Sequence, residues 1–182
     1  MKILRRISVI FAFCSIIASA VCANAQIVQV CDMGAGALVE KSNIVFSLLK
    51  MPLRLRDFRH VGKTSPESPY DIYIAVGGQK GAGAIVSFFC NDTGSVSKIT
   101  IISNGRSPDA SRNAGFTLGA LLVSLGLSPS EVDVLMERKP PNSSYADVWA
   151  AKINRRILLE YDLEKARNGA LILFLGLTAS DK

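Results

Sequence analysis

His60 is the only histidine of the 182-residue chain, so a Ser–His–acid mechanism would have to use it as the base. Asp57 stands three residues before it, and on a strand the two positions would face opposite sides. No serine lies in the Gly-x-Ser-x-Gly pattern of a nucleophile elbow. His60 is therefore a candidate catalytic base, although a lone histidine in a basic stretch is more typical of a surface side chain.

Three acidic residues, Glu160, Asp162 and Glu164, alternate with apolar and aromatic ones near the C-terminus. On a strand they would share one face, and paired carboxylates can hydrolyse glycosidic bonds. A row of charges is equally typical of a solvated strand face. A secreted hydrolase of envelope polymers that uses His60, or Glu160 with Asp162, is one alternative hypothesis.

A glycine-rich stretch runs from Gly77 to Gly83. A phosphate-binding loop needs Gly-Lys followed by Ser or Thr and then a helix. Here Lys80 precedes Gly81, a strand pattern follows, and the dinucleotide-binding motif lacks its third glycine. The stretch is predicted to be a hairpin loop. We expect no cofactor, and no metal, because no His or Cys pair has metal-ligand spacing.

The most basic segment is 50–63, with a local excess of four positive charges. Its basic residues are Lys50, Arg54, Arg56, Arg59 and Lys63. The segment could bind an acidic protein, an anionic lipid or an acidic glycan. It could equally be an edge strand whose charges prevent association with other sheets, paired with the acidic strand 160–164. Nucleic acid is not expected, because no stacking aromatics are interleaved and the chain carries an export signal.

Residues 1–25 have the parts of a secretory signal peptide. A basic start contains Lys2, Arg5 and Arg6, an apolar run of 17 residues follows, and Ala23-Asn24-Ala25 is a small-x-small cleavage pattern. The mature chain is predicted to begin at Gln26. The alternatives are an uncleaved anchor, for which the run has the minimum length, and a lipoprotein modified at Cys22.

Removal of this segment changes the charge of the chain. The segment holds three of the 21 basic residues and none of the 15 acidic ones, so the formal charge falls from +6 to +3. No later segment is long and apolar enough to span a membrane. We expect a periplasmic or secreted protein.

Two cysteines, Cys31 and Cys90, lie outside the predicted signal peptide. An even pair in an oxidising compartment predicts one disulfide. The alternative is two unpaired buried thiols.

The mature chain (26–182) is predicted to be a single α+β domain, a mostly antiparallel sheet with helices packed on one face. We expect helices over 37–50, 107–125 and 128–138, and strands over 53–57, 70–76, 84–90 and 96–103. The alternation breaks near Asp57, where a bulge or an early end is expected. From Ala114 the second helix is apolar on almost every side, so it should be the most buried one, and Gly115, Gly119 and Leu122 would let it lie close against the sheet.

The C-terminal part has two interpretations. Alternation from 156 to 164 favours a strand, a short loop and a returning strand over 170–178. A stripe of apolar residues at helical spacing favours one long helix over 145–167. In a mixed form, that helix would end near Asn154 and a strand would follow it. The hairpin is the preferred prediction.

The leading functional hypothesis is a small exported binding module that engages a protein partner, for example as an inhibitor, an immunity factor or a secretion accessory. It depends on the signal peptide, the single domain and the absence of a recognisable catalytic motif. The hydrolase and the binder of anionic lipid or glycan through 50–63 are the alternatives.

Overall fold

A seven-stranded antiparallel sheet organises the protein, seen in a computed structural model that describes residues 28–78, 82–137, 144–165 and 170–180. The helices are α1 (Ala35–Leu48), α2 (Pro108–Leu125) and α3 (Pro129–Glu137). The strands are β1 (Leu55–Gly62), β2 (Asp71–Gly77), β3 (Ala84–Cys90), β4 (Val96–Asn104), β5 (Ser144–Ala150), β6 (Arg155–Lys165) and β7 (Leu171–Ser180). The predicted signal peptide (1–25) lies outside the described residues.

The strand order across the sheet is β1-β2-β3-β4-β7-β6-β5, and the three helices pack against it. This confirms the predicted α+β class and the single domain. Gly77 of β2 lies against Thr117 of α2. The residues paired with Gly77 on neighbouring strands, and every second residue along each strand from them, therefore face the helices. This side of the sheet is called the helix-covered face. The core lies on that face, and its largest fully buried side chains include Phe46, Phe88, Leu38, Ile99, Ile101 and Leu121.

The C-terminal hairpin is confirmed, because β6 and β7 pair along their length from Arg156↔Ser180 to Lys165↔Leu171. The long-helix and mixed interpretations are both wrong, since residues 144–150 form the edge strand β5. Sequence reasoning did not predict this strand. Its signal is the alternation of Tyr145, Asp147 and Trp149 with smaller apolar residues, a period of two that fits a strand.

The bulge near Asp57 is confirmed. Asp57 has a φ of 55°, and the register between β1 and β2 shifts between Arg56 and Arg59. The strand continues to Gly62 beyond the bulge. Strands β2 and β3 pair as antiparallel neighbours up to Gly77 and Ala84, as the hairpin prediction requires. Residues 79–81 of the glycine-rich stretch lie outside the described residues.

Helix α2 begins and ends as its sequence predicts. The Ser107 side chain accepts a hydrogen bond from the Ala110 N–H at 3.2 Å, and Pro108 occupies the first turn. Gly126 ends the helix with a φ of 104°, a left-handed conformation that glycine adopts at least cost.

Helix α3 begins with the predicted capping box. Glu131 accepts the Ser128 N–H at 2.6 Å and the Ser128 hydroxyl at 2.8 Å. The same carboxylate accepts the Ala151 N–H at 3.0 Å, which ties α3 to the turn between β5 and β6. Hydrogen bonds from the Ser128 backbone hold the pKa of Glu131 below its usual value.

Replacement of this carboxylate gives a stability change that depends on pH. Glu131→Ala is expected to lower the free energy of unfolding by about 1 kcal/mol at pH 7, because the cap is lost. The pKa of Glu131 is lower in the folded state than in the unfolded state, where it is about 4.3. Its carboxylate therefore stabilises the folded protein above that pH, and this stabilisation is lost as the pH falls through the folded-state pKa. The gap between variant and wild type, measured by urea unfolding, should therefore close below pH 4. Glu137→Ala is the matched control. An equal difference in unfolding free energy between Glu131→Ala and wild type at pH 7 and below pH 4 would contradict the capping role of Glu131.

In the part of the chain that the structure describes, no helix combines the length and the apolar character needed to cross a membrane.

Candidate functional site

An apolar groove of about 560 Å³ lies on the helix-covered side of the protein. Its floor is formed by side chains of β6 and β7, including Leu159, Tyr161 and Leu173, and its walls by α2, α3 and the residues that follow α1. The volume is within the range of ligand-binding clefts, about 300–1,000 Å³. An aliphatic lining of this kind binds through desolvation of apolar surface.

Two glycines of α2 create the space. Gly115 and Gly119 line the groove, and a Cβ atom added to either would meet nothing within 4 Å. The prediction that these glycines let the helix lie close to the sheet is wrong. The close approach is made at Gly77, where a Cβ would lie 2.9 Å from the Thr117 hydroxyl oxygen. Helix α2 is thus central but open on one side.

Apolar side chains at the groove remain accessible to solvent. Leu49 is 59% exposed, Phe116 42% and Val123 39%. Exposure of several large apolar side chains around one concavity marks an interaction site more strongly than scattered exposed residues do. The groove therefore has the composition of a surface that a partner covers.

Basic side chains lie at the groove. Arg112 lines it and pairs with Asp109 at 2.6 Å, and Lys50 is exposed between the lining residues Leu49 and Met51. No described carboxylate lies within ion-pair distance of Lys50. An acidic group on a bound molecule would find a free cation here.

The opposite face of the sheet, here called the open face, carries no described helix and has a charge pattern of its own. Two rows of directly paired residues cross it. The first row is Arg56, Val76, Ile85, Ile102, Phe174 and Asp162. The second row is Arg59, Ile74, Ser87, Thr100, Gly176 and Glu160. Each row therefore begins with arginine on β1 and reaches a carboxylate on β6, and the second row continues to Tyr145 on the edge strand β5.

The two charged ends of these rows are far apart. Five strand spacings separate β1 from β6, which is about 24 Å. The prediction that the basic strand pairs with the acidic strand 160–164 is therefore wrong, because β2 takes the place beside β1 and β5 and β7 flank β6. Sequence alone does not reveal this order.

The acidic end is a cluster of like charges. Glu160 accepts the Tyr145 hydroxyl at 3.4 Å, and its negative charge is the main cause of a raised Tyr145 pKa. Burial, followed by the charge of Asp162, raises the pKa of Glu164. The basic residue nearby, Arg156, pairs with Asp147 at 3.3 Å. No described cation lies within ion-pair distance of Glu160, Asp162 or Glu164.

The catalytic candidates are not brought together. His60 pairs with Tyr73 on the helix-covered side, and its Nε2 lies 3.1 Å from the Asp71 carboxylate. Glu160 and Asp162 lie on the open face near the other edge. Among the described residues the imidazole has a carboxylate partner and lies beside the Tyr73 ring, tilted by 36° with the ring centroids 4.7 Å apart, and no serine or cysteine side chain hydrogen-bonds to it.

The basic stretch 50–63 does not form one patch. Lys50 follows α1 beside the groove, whereas Arg56 and Arg59 belong to the open face. The Arg56 guanidinium donates to the Gly78 carbonyl at 2.8 Å. Arg54 is exposed before β1, and Lys63 lies 4.0 Å from Asp92 in the β3–β4 turn.

The predicted disulfide is not formed in the structure. Cys31 and Cys90 are both free and buried. Each thiol has its own backbone partner, because Cys31 Sγ donates to the Met33 carbonyl at 3.7 Å and the Ala35 backbone hydrogen-bonds to Cys90. Burial raises the pKa of both thiols.

Buried thiols with a raised pKa should react slowly with alkylating reagents. Native protein at pH 8 is expected to resist iodoacetamide, because little thiolate forms and access is blocked. In urea without reductant, the peptides that contain Cys31 and Cys90 should both be alkylated, as mass spectrometry would show. Alkylation that requires prior reduction would contradict the free-thiol arrangement and support the disulfide.

Within the described ranges, no group of three or more His, Cys, Asp or Glu side chains is placed to hold a metal ion. Comparison of the chain with models of protein families, with curated proteins and with solved structures finds no match.

Proposed function

We propose that the chain is an exported binding module that receives an apolar segment of a protein partner in the groove beside α2. The observation that carries this proposal is the groove itself, with glycines at its wall and exposed apolar side chains around it. Export depends on the signal-peptide pattern of residues 1–25. An inhibitor, an immunity factor or a secretion accessory would fit this description.

A polypeptide fits the groove better than a compact small molecule does. Leu49, Phe116 and Val123 keep 39–59% of their surface exposed, so the apolar surface continues beyond the concavity. An amphipathic segment covers such a surface with side chains at successive turns. Lys50 and Arg112 favour a partner with an acidic residue beside its apolar ones.

Neither alternative function has comparable support. A hydrolase would have to use either His60 or the pair Glu160 and Asp162, because these lie on opposite faces of the sheet and cannot act together. A single anionic surface cannot engage Lys50 together with Arg56 and Arg59, because they belong to different sides of the protein.

Affinity capture from an envelope extract tests the proposal when wild type is compared with a variant whose groove is filled. We expect at least one envelope protein to be enriched by wild type and lost with Gly115→Leu/Gly119→Leu. Identical sets of captured proteins would contradict the role of the groove, since the filled variant leaves every other surface unchanged.

A further inference from the structure

The open face has the pattern of a surface that can bind a second copy of itself. Its two paired rows each carry an arginine on β1 and a carboxylate on β6. The middle of the first row is apolar, with Val76, Ile85 and Ile102 half-buried and Phe174 buried. In the second row Ser87 and Thr100 are buried, so the exposed apolar surface lies along the first row. The charges at both ends lack described ion-pair partners.

We propose that two copies of the chain form a face-to-face dimer through the open face, related by a two-fold axis parallel to the strands. This axis places β1 of one copy over β6 of the other, and the reverse. Arg56 and Arg59 then face Asp162 and Glu160 of the second copy in both halves of the interface. A two-fold axis across the strands would instead stack like charges on each other.

The dimensions of the face suit such an interface. With β1 over β6, six strands overlap, and seven-residue segments give an area of about 24 Å by about 23 Å. This is about 550 Å² per partner, the size of a weak or transient interface rather than of a standard one, which buries about 800 Å² per partner. Strands related by this axis run within the angle of about 30° that aligned sheets adopt when they pack face to face. The groove lies on the other side of the sheet, so the dimer leaves it accessible.

Sedimentation equilibrium on protein purified after expression of the full-length gene tests the dimer. Wild type is expected to dimerise in the micromolar range, and more weakly at about 1 M salt than at about 0.15 M, because the end contacts are ionic. A wild type that remains monomeric throughout this range would overturn the proposal.

Charge reversal at each end separates this geometry from others. Arg56→Glu/Arg59→Glu makes both ends acidic, and Glu160→Lys/Asp162→Lys makes both basic, so each variant alone should dissociate at least about tenfold more readily. Mixed together, the two variants should form a one-to-one heterodimer, because both pairs of ends become complementary. Lys41→Glu/Lys50→Glu changes the net charge as much as the first variant does and should leave the dimer intact.

Two outcomes of the mixing experiment decide the matter. Recovery of the heterodimer supports the face-to-face arrangement. Two folded variants that stay monomeric when mixed would overturn it, as would dissociation by the Lys41→Glu/Lys50→Glu control. If Glu160→Lys/Asp162→Lys fails to fold, Glu164→Lys at an exposed position replaces it, and it too is expected to weaken the dimer.

Discussion

Filling the groove with Gly115→Leu/Gly119→Leu is expected to abolish partner binding without loss of stability. Cβ atoms at these positions meet nothing within 4 Å, so the new side chains enter the groove rather than the core. Glycine is a poorer helix former than alanine by about 0.8–1.0 kcal/mol per residue, and leucine ranks just below alanine, so helix propensity favours the variant. A partner deprived of a buried anchor loses at least about 2 kcal/mol, or about 30-fold in affinity.

The filled variant is checked by two measurements on the same samples. Its melting temperature should equal or exceed that of wild type, while its affinity for the captured partner falls. Ala37→Leu adds an apolar side chain of the same kind at an exposed position of α1 and should leave the affinity unchanged. A filled variant that binds as tightly as wild type would show that the groove is not the binding site.

Gly77→Ala is expected to destabilise the protein by about 1–3 kcal/mol through overpacking. The new Cβ would lie 2.9 Å from Thr117 Oγ1 and 3.2 Å from Leu55 Cδ2, both closer than ordinary contacts. Removal of glycine from a strand gains at most about 1 kcal/mol, so the clash outweighs the gain. The melting temperature should fall by about 2–4 °C for each kcal/mol.

A second substitution identifies the cause of this loss. Thr117 Oγ1 is buried and has no hydrogen-bond partner among the described residues, so Thr117→Ala removes the obstructing atoms at little cost. Thermal unfolding of the double variant should recover most of the stability lost by Gly77→Ala. Additive losses in the double variant would contradict the close packing of α2 on β2 at this point.

Local signals in the sequence predicted most of the elements. The Ser107-Pro108 start of α2 and the break in alternation at Asp57 act through neighbouring backbone groups, so a short window contains the necessary information. Residues 144–150 were missed because Tyr145, Val148 and Trp149 also fit a helical stripe. Pairing with β6, a tertiary interaction, decides between the two periods.

The candidate surfaces depend on contacts that a sequence does not display. Gly115 and Gly119 give α2 a face without side chains. Such a face is compatible with either close packing or an open groove, and the placement of α1 and α3 determines which occurs. Arg56 and Asp162 share a row only because β7 lies between β4 and β6. Residue types suggested that these side chains matter, but the sheet order determines what they can do together.

Site-specific photo-cross-linking in cells that produce the protein tests the central claim most directly. A photoreactive residue at Val123, which lines the groove and is 39% exposed, is compared with one at Val134, which is 37% exposed and does not line it. The groove hypothesis predicts a cross-linked envelope protein from position 123 alone, lost when Gly115 is also replaced by leucine. Equal cross-linking from both positions, or none from position 123, would contradict it.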